Sequence, residues 1–318
     1  MKRFIRLFKK VGGIEVLKQY WRAHVLFFAM LQSIFQGFSK KSLEIVRLSV
    51  NNKILGKLRR KYRLFIRDYL KNEQINLTRK QSNMVWVCWL QGIENAPELV
   101  QRCYRSLQEQ LLDKEIVLLT EENYRNYVQF PDHIQKKINQ GIITRTHMSD
   151  LLRLELLIRY GGTWIDATVY CSGSAYPKYL FESDLFVFQN LKPGLDGHAT
   201  SISSWFMSAC TNHPILRLTR AMLYNYWEKH NNMIDYFLLH DFFQLAIEVY
   251  PKEWIKVVPI SNSIPHMLLL RLFEEYDENI WIAIKMQTKF HKLTYKFNRE
   301  KIQLKGTYYR ELFEKSGE

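Results

Sequence analysis

Apolar positions along residues 84–296 alternate between short runs of strand length and stripes of helical period. Met84 to Leu90 is a compact apolar run, and an amphipathic helix from Glu98 to about Gln110 and a second strand from Glu115 to Thr120 follow it. Further strands are predicted at Asp184 to Gln189 (DLFVFQ) and in WFMSAC. Helices are predicted from Phe130 to about Asn139, from Asn212 to Glu228 and from Asp235 to Tyr250. A βαβ alternation of this kind predicts an α/β fold: a parallel sheet with helices on both faces, whose ligands gather at the carboxyl ends of the strands.

The middle of the chain carries the sharpest pattern, SDLLRLELLIRYGGTWIDATVY from Ser149 to Tyr170. Asp150 and Arg153, three apart, project from one helical face, and Glu155 and Arg159 form a second pair on the same helix. Gly161-Gly162 supplies a left-handed stop, after which Thr163 to Tyr170 alternates with period two. That period places Trp164, Asp166, Thr168 and Tyr170 on one face of a continuous strand. A carboxylate in such a strand needs a partner, a metal or a ligand.

Charge divides the chain. Residues 1–70 hold 17 Lys and Arg against three acids, whereas the other 248 residues hold 29 against 28, so the net charge of +15 belongs almost wholly to one basic module. In it Phe4, Ile5, Leu7 and Phe8 interleave with Lys and Arg, and Leu58, Tyr62, Phe65, Ile66 and Tyr69 share one face of a basic helix. Three readings fit: helices lying in an anionic membrane interface, helices packed on the body, or a nucleic-acid surface. The first is preferred and no nucleic acid is expected, because no nucleic-acid motif accompanies the charge. The longest apolar run, Val25 to Leu31, is too short to cross a bilayer. The division predicted is a basic amphipathic helical extension over residues 1–75 and an α/β domain over 76–318. Four cysteines without CxxC spacing read as reduced thiols, and no secretory signal is evident. Both point to a cytoplasmic protein, and the preferred reading of the basic module makes it peripheral on the inner face of the plasma membrane.

The pattern Ser149-Asp150-x-x-Arg153, a run of leucines, then Tyr160-Gly161-Gly162-x-Trp164-x-Asp166-Ala167-Thr168 resembles the capsular polysaccharide synthesis glycosyltransferases. These are relatives of the family 32 sugar transferases and of the glucosylating bacterial toxins. VWVCWLQGIENAPELV near Asn83 and KFHKLTYK ending at Lys296 match in the same order. The resemblance implies a GT-A-like (Rossmann-like) nucleotide-sugar-binding fold and a retaining transferase with a bacterial capsular or other surface polysaccharide precursor as product. It implies that Asp166 binds ribose and a divalent cation (Mn²⁺ or Mg²⁺), that Asp150 hydrogen-bonds donor sugar hydroxyls, that Arg153 faces the donor sugar or phosphate, and that Ser149 also binds the donor. Trp86, with Trp89 as the alternative, stacks on the base, and Gln91 sits at the same strand end. Lys292 or Lys296 meets the diphosphate, and His291 joins Asp166 and Thr168 as a cation ligand.

One departure matters: Thr168 stands where the wider family has the second Asp of Asp-x-Asp, and a hydroxyl is a weaker ligand than a carboxylate. A lysine in KFHKLTYK is placed to make up part of the missing charge. Asp241, beside His240 on a predicted helix, is a further acid candidate, although consecutive helical residues diverge by about 100° and cannot both aim at one point. The loop over residues 190–210 is expected to shape the acceptor side. The reading is a UDP-sugar-dependent hexosyltransferase acting on a lipid-linked oligosaccharide or polysaccharide acceptor at an anionic membrane. The rival is a membrane-associated, non-catalytic sugar- or nucleotide-binding scaffold.

Overall fold

Val85, Val87, Ile165, Phe186, Phe188 and Phe206 belong to one buried cluster, while Trp86, Trp164, Val187 and Met207 belong to another. Neighbouring strand residues point to opposite faces, so this partition describes a sheet covered on both sides. In the computed structural model, which describes residues 13–73, 77–191 and 199–314, that sheet has five strands. They are β1 (Met84–Cys88), β2 (Glu115–Leu119), β3 (Gly162–Ile165), β5 (Leu185–Gln189) and β6 (Ile202–Ala209), in the order β2-β1-β3-β6-β5. A separate two-stranded sheet pairs β4 (Val169–Cys171) with β7 (Phe290–Lys292).

Seven helices bear on this frame: α1 (Gly13–Arg22), α2 (Leu26–Gln36), α3 (Lys40–Lys71), α4 (Glu98–Gln110), α5 (Asp132–Asn139), α6 (Arg145–Tyr160) and α7 (Pro214–Lys229). Two more, α8 (Leu238–Val249) and α9 (Glu278–Gln287), complete the longer helical elements. Leucines of α6 (Leu151, Leu152, Leu154, Leu156, Leu157) pack with α7 and α8 on one face of the sheet, and Val100 and Leu107 of α4 pack on the other. A third cluster joins Tyr170 to Trp281, Ile284, Tyr308 and Tyr309, so the last part of the chain is anchored by buried aromatics.

The structure departs from the sequence reading at two places in the sheet. The sheet is mixed: β1 pairs parallel with β2 and β3, but β6 is antiparallel to both β3 and β5. The chain leaves β5 and returns directly as β6, and such a return reverses direction. The predicted strand Thr163 to Tyr170 is also broken. The paired register with β6 ends at Ile165, with one further bond from Asp166 N–H to Trp205 C=O; Val169 N–H then donates to Asp166 C=O across a turn, and the chain resumes as β4 against β7. Trp164, Asp166, Thr168 and Tyr170 therefore do not line one strand face. The glycine stop is as predicted: Gly162 has φ +90°, and a Cβ there would lie 2.3 Å from Met84 O. Only glycine lets β3 begin so close to β1.

The basic module is helical through α1, α2 and α3. Phe4, Ile5, Leu7 and Phe8 lie outside the described residues. The stripe proposed on α3 is not a free face: Leu58 and Tyr62 are buried, and Phe65, Ile66 and Tyr69 pack on the main core. Tyr62 meets Phe242 edge to face at 4.7 Å, and Arg59 grips Glu248 through two hydrogen bonds. Among the described residues no helix is long and apolar enough to cross a membrane.

Candidate functional site

The site is assembled where α6 begins, β3 ends and β7 crosses β4. Thr144 caps α6 by accepting from His147 N–H, which starts the helix so that His147, Asp150 and Arg153 follow one another along one side. The Trp227 indole N–H donates to His147 Nε2 at 2.8 Å. An indole N–H can only donate, so Nδ1 carries the hydrogen that points at Asp150 Oδ2, 3.2 Å away. Asp150 Oδ1 lies 3.3 Å from Arg153 Nη2, and the same nitrogen lies 3.7 Å from Asp166 Oδ1. Arg153 is buried over the Trp164 ring and also donates to the carbonyls of Ser149 and Ser204, so its plane is held on several sides.

Asp166 is the hinge of the arrangement. Its Oδ1 accepts from the Trp164 indole at 2.9 Å, and its Oδ2 accepts from Lys292 Nζ at 2.7 Å. Lys292 also donates to Thr168 Oγ1 at 2.7 Å, and Leu293 N–H donates to Thr168 C=O, so the turn and β7 are clasped together. Two of the three ammonium hydrogens are thereby used, and the third has no partner among the described residues. Burial alone would raise the Asp166 carboxyl, but Lys292, Arg153 and the two hydrogen bonds outweigh it, and the group titrates below its ordinary range. Asp150 follows the same logic: burial raises it, while Arg153 and His147 bring it below the ordinary value.

The remaining sequence candidates divide between the site and its surroundings. Trp86 is fully buried, donates its indole N–H to Gly161 C=O and packs on Tyr127 and Tyr160, so it is a core residue with no face to offer a base. Trp89, the alternative, is half-buried at the end of β1 with its ring against the exposed Tyr295, and its indole N–H has no partner among the described residues. Lys296 is exposed over the same tyrosine, and Gln91 is exposed with its carbonyl held by Asn95. Ser149 spends its hydroxyl on Thr146 C=O within the helix.

Two residues predicted to act here are turned elsewhere. His291 alternates with Lys292 on β7 and therefore points to the opposite face, where it meets Ser172 and Trp281; burial pushes its imidazole down to about 3. Asp241 is buried in α8, its carboxyl raised well above the usual range by burial and by Asp235. Its neighbour His240 is the one whose field couples to Asp150, Arg153 and Asp166; burial is the main cause that lowers it to about 4. Tyr236 also senses Asp150 and Asp166 and is exposed beside them. Nothing in the local pattern marks Tyr236, and of the adjacent pair the sequence reading chose Asp241, whereas it is His240 that senses Asp150 and Asp166.

A divalent cation takes about six oxygen donors, carboxylates chief among them. Here Asp166 already carries an ammonium on one oxygen and an indole with a guanidinium on the other, and Asp150 is turned to His147 and Arg153. Among the described residues no group of three or more His, Cys, Asp or Glu is placed to hold a metal ion. The residues present do not fit the expected cation, and His291, Asp166 and Thr168 do not meet as a ligand set. What the arrangement can do is hold an anion against Lys292, with two carboxylates fixed beside it for hydroxyl groups.

An O-glycosyltransferase, PaGT of Phomopsis amygdali, is 26% identical over 167 residues, which is 47% of this chain and 40% of the relative. The chain thus spans well under half of that relative's length. Among solved structures, a chain described as PaToxG glycosyltransferase overlays with a TM-score of 0.36 and 14% identity, covering 65% of this chain and 80% of the other. The family model described as capsular polysaccharide synthesis protein matches residues 35–312, a wider span than the motifs between Asn83 and Lys296, and the chain belongs to that family.

Proposed function

We propose that this protein is a retaining glycosyltransferase that moves a hexosyl group from a nucleotide-sugar, with UDP as the nucleotide, to a saccharide acceptor in capsular polysaccharide synthesis. The observation that carries the reading is Lys292, clasped by Asp166 and Thr168 with one donor to spare. In this reading the bond between the anomeric carbon and the diphosphate oxygen breaks, and the electron pair leaves on that oxygen. Lys292 stabilises the charge that develops there, in the place a metal ion would take, and a cation preset at that point lowers the barrier without reorganising. The acceptor hydroxyl attacks on the face being vacated and passes its proton to the departing phosphate. Asp150 and Asp166 accept hydrogen bonds from donor hydroxyls, Arg153 holds both carboxylates in place, and Trp89 with Tyr295 offers the aromatic surface for the base.

The test is thermal stabilisation by UDP, GDP and CMP, each with Mn²⁺ and with a chelator, because a ligand of the native state raises its melting temperature. A shift specific to UDP that survives chelation supports the reading; one that requires Mn²⁺ rejects Lys292 as the cation. The same clasp favours a second reading, a nucleotide-binding scaffold without turnover. Saturable UDP binding with no hydrolysis or transfer of any nucleotide-sugar would select it.

A further inference from the structure

Helix α2 is apolar on the side that faces away from the other described residues. Phe27, Met30, Leu31, Ile34 and Phe35 recur at the spacing of one helical stripe, and all five are exposed. Phe35 is 83% exposed, Phe27 74% and Ile34 66%, whereas Val25 and Ala29 on the inner side are buried in the core shared with α3. Among the described residues the stripe is therefore not the face that packs. Trp21 of α1, 71% exposed, and Ile45 and Leu48 of α3 extend the same apolar character onto the neighbouring helices.

The surroundings of the stripe are basic. Residues 13–71 contain 13 Lys and Arg and three acids. Those acids are spent locally, Glu15 on Lys18, Glu44 on Arg47 and Asp68 on Arg67. Arg22, Lys40, Lys41 and Lys53 are exposed on the helices that flank α2. At 11 residues α2 spans about 16 Å, roughly half a hydrocarbon core, so it is suited to lie in an interface and not to cross one.

We propose that α2 is a membrane-docking helix, its phenylalanine stripe inserted among acyl chains and its flanking lysines and arginines set against anionic lipid headgroups. A second copy of this chain is the poorer occupant, because it would bring two strongly positive modules face to face, whereas an anionic bilayer meets both the apolar and the basic surface. The module also touches the site's border: the Gln19 side-chain oxygen, in its hydrogen-bonding orientation, accepts from the backbone N–H groups of Asp235 and Tyr236. The inference stands on the stripe and its charge, independently of which reaction the site performs.

The experiment is co-sedimentation of the full chain with vesicles of phosphatidylcholine alone and of phosphatidylcholine with phosphatidylglycerol, alongside light scattering for its mass in solution. Binding is expected to the anionic vesicles, to weaken with salt, and to fall about tenfold or more in Phe27→Glu/Phe35→Glu. Both positions are exposed, so the far-ultraviolet circular dichroism and melting temperature of the double variant should match the wild type. Lys40→Gln/Lys41→Gln, which leaves the stripe intact, should reduce binding to the anionic vesicles as an independent check. No binding to anionic vesicles at low salt, or equal binding by the phenylalanine variant, would overturn the proposal. So would a wild-type dimer that this variant dissociates, which would make the stripe a self-association surface.

Discussion

Lys292→Met isolates the group on which the proposed chemistry turns. The substitution keeps an unbranched side chain of similar length and removes the ammonium that bonds Asp166 and Thr168 at 2.7 Å each. Asp166 keeps the Trp164 indole at 2.9 Å and Arg153 at 3.7 Å, so its charge is weakened in support but not orphaned. The expected stability loss at neutral pH is therefore about 1–3 kcal/mol, below the cost of leaving a buried carboxylate with no partner. The effect on ligand is separable. A hydrogen bond from an ammonium to a diphosphate is worth about 1.5–3 kcal/mol, so UDP should bind roughly tenfold to a hundredfold more weakly, while uridine, which has no phosphate, should bind as before. Calorimetric titration of both ligands in chelator reads this difference directly. UDP affinity within twofold of wild type, in a variant of native fold, would refute the assignment of Lys292 to the diphosphate.

Asp166→Asn should lower transfer by about a hundredfold or more while the protein stays folded, and a variant that keeps half its activity would remove Asp166 from the mechanism. Thr168→Asp/Lys292→Met replaces the ammonium with a second carboxylate and should make the thermal shift by UDP grow with Mn²⁺; a shift indifferent to metal would show that the turn cannot be converted to a cation site. Asp241→Asn should leave kcat unchanged and stabilise the protein at pH 7. Its carboxyl is raised in the folded state, which binds the proton more tightly than the unfolded chain, so this group's contribution falls as pH rises through that range. His240 has the opposite sign. Its folded value of about 4 lies below the ordinary 6.5, so the unfolded chain takes up a proton first on acidification. Stability from this group is full above about pH 6.5 and declines by up to about 3 kcal/mol towards pH 4, and His240→Gln should flatten urea-derived stability over that window.

Local spacing carried much of this architecture. Apolar period distinguished strands from helices at Met84–Cys88, Glu98–Gln110, Glu115–Leu119 and Arg145–Tyr160, because burying one face or one stripe is a demand each segment makes by itself. The same spacing placed Asp150 and Arg153 together on a helix, and the glycine pair announced the stop that lets β3 start against β1. It failed at Asp166. Period two continued through Tyr170 in the letters, yet after one last bond from Asp166 N–H to Trp205 C=O the chain turned away from β6, closed the turn with Val169 N–H on Asp166 C=O and paired with β7 instead.

By itself, then, the sequence determined the α/β alternation and the concentration of positive charge in the first 70 residues, since each follows from neighbours within a few turns, while Asp150 and Asp166 stood out mainly through the resemblance of their motif. Only the tertiary structure decided what those groups meet. Lys292 reaches Asp166 across 126 positions, and the register that pairs Val169 with Lys292 sends His291 the other way. Packing likewise buried Trp86 and left Trp89 at the rim, and it covered the apolar face of α3 while exposing that of α2. A side chain's chemistry is written at its own position, but its partner and its exposure depend on contacts that close only when distant segments pack.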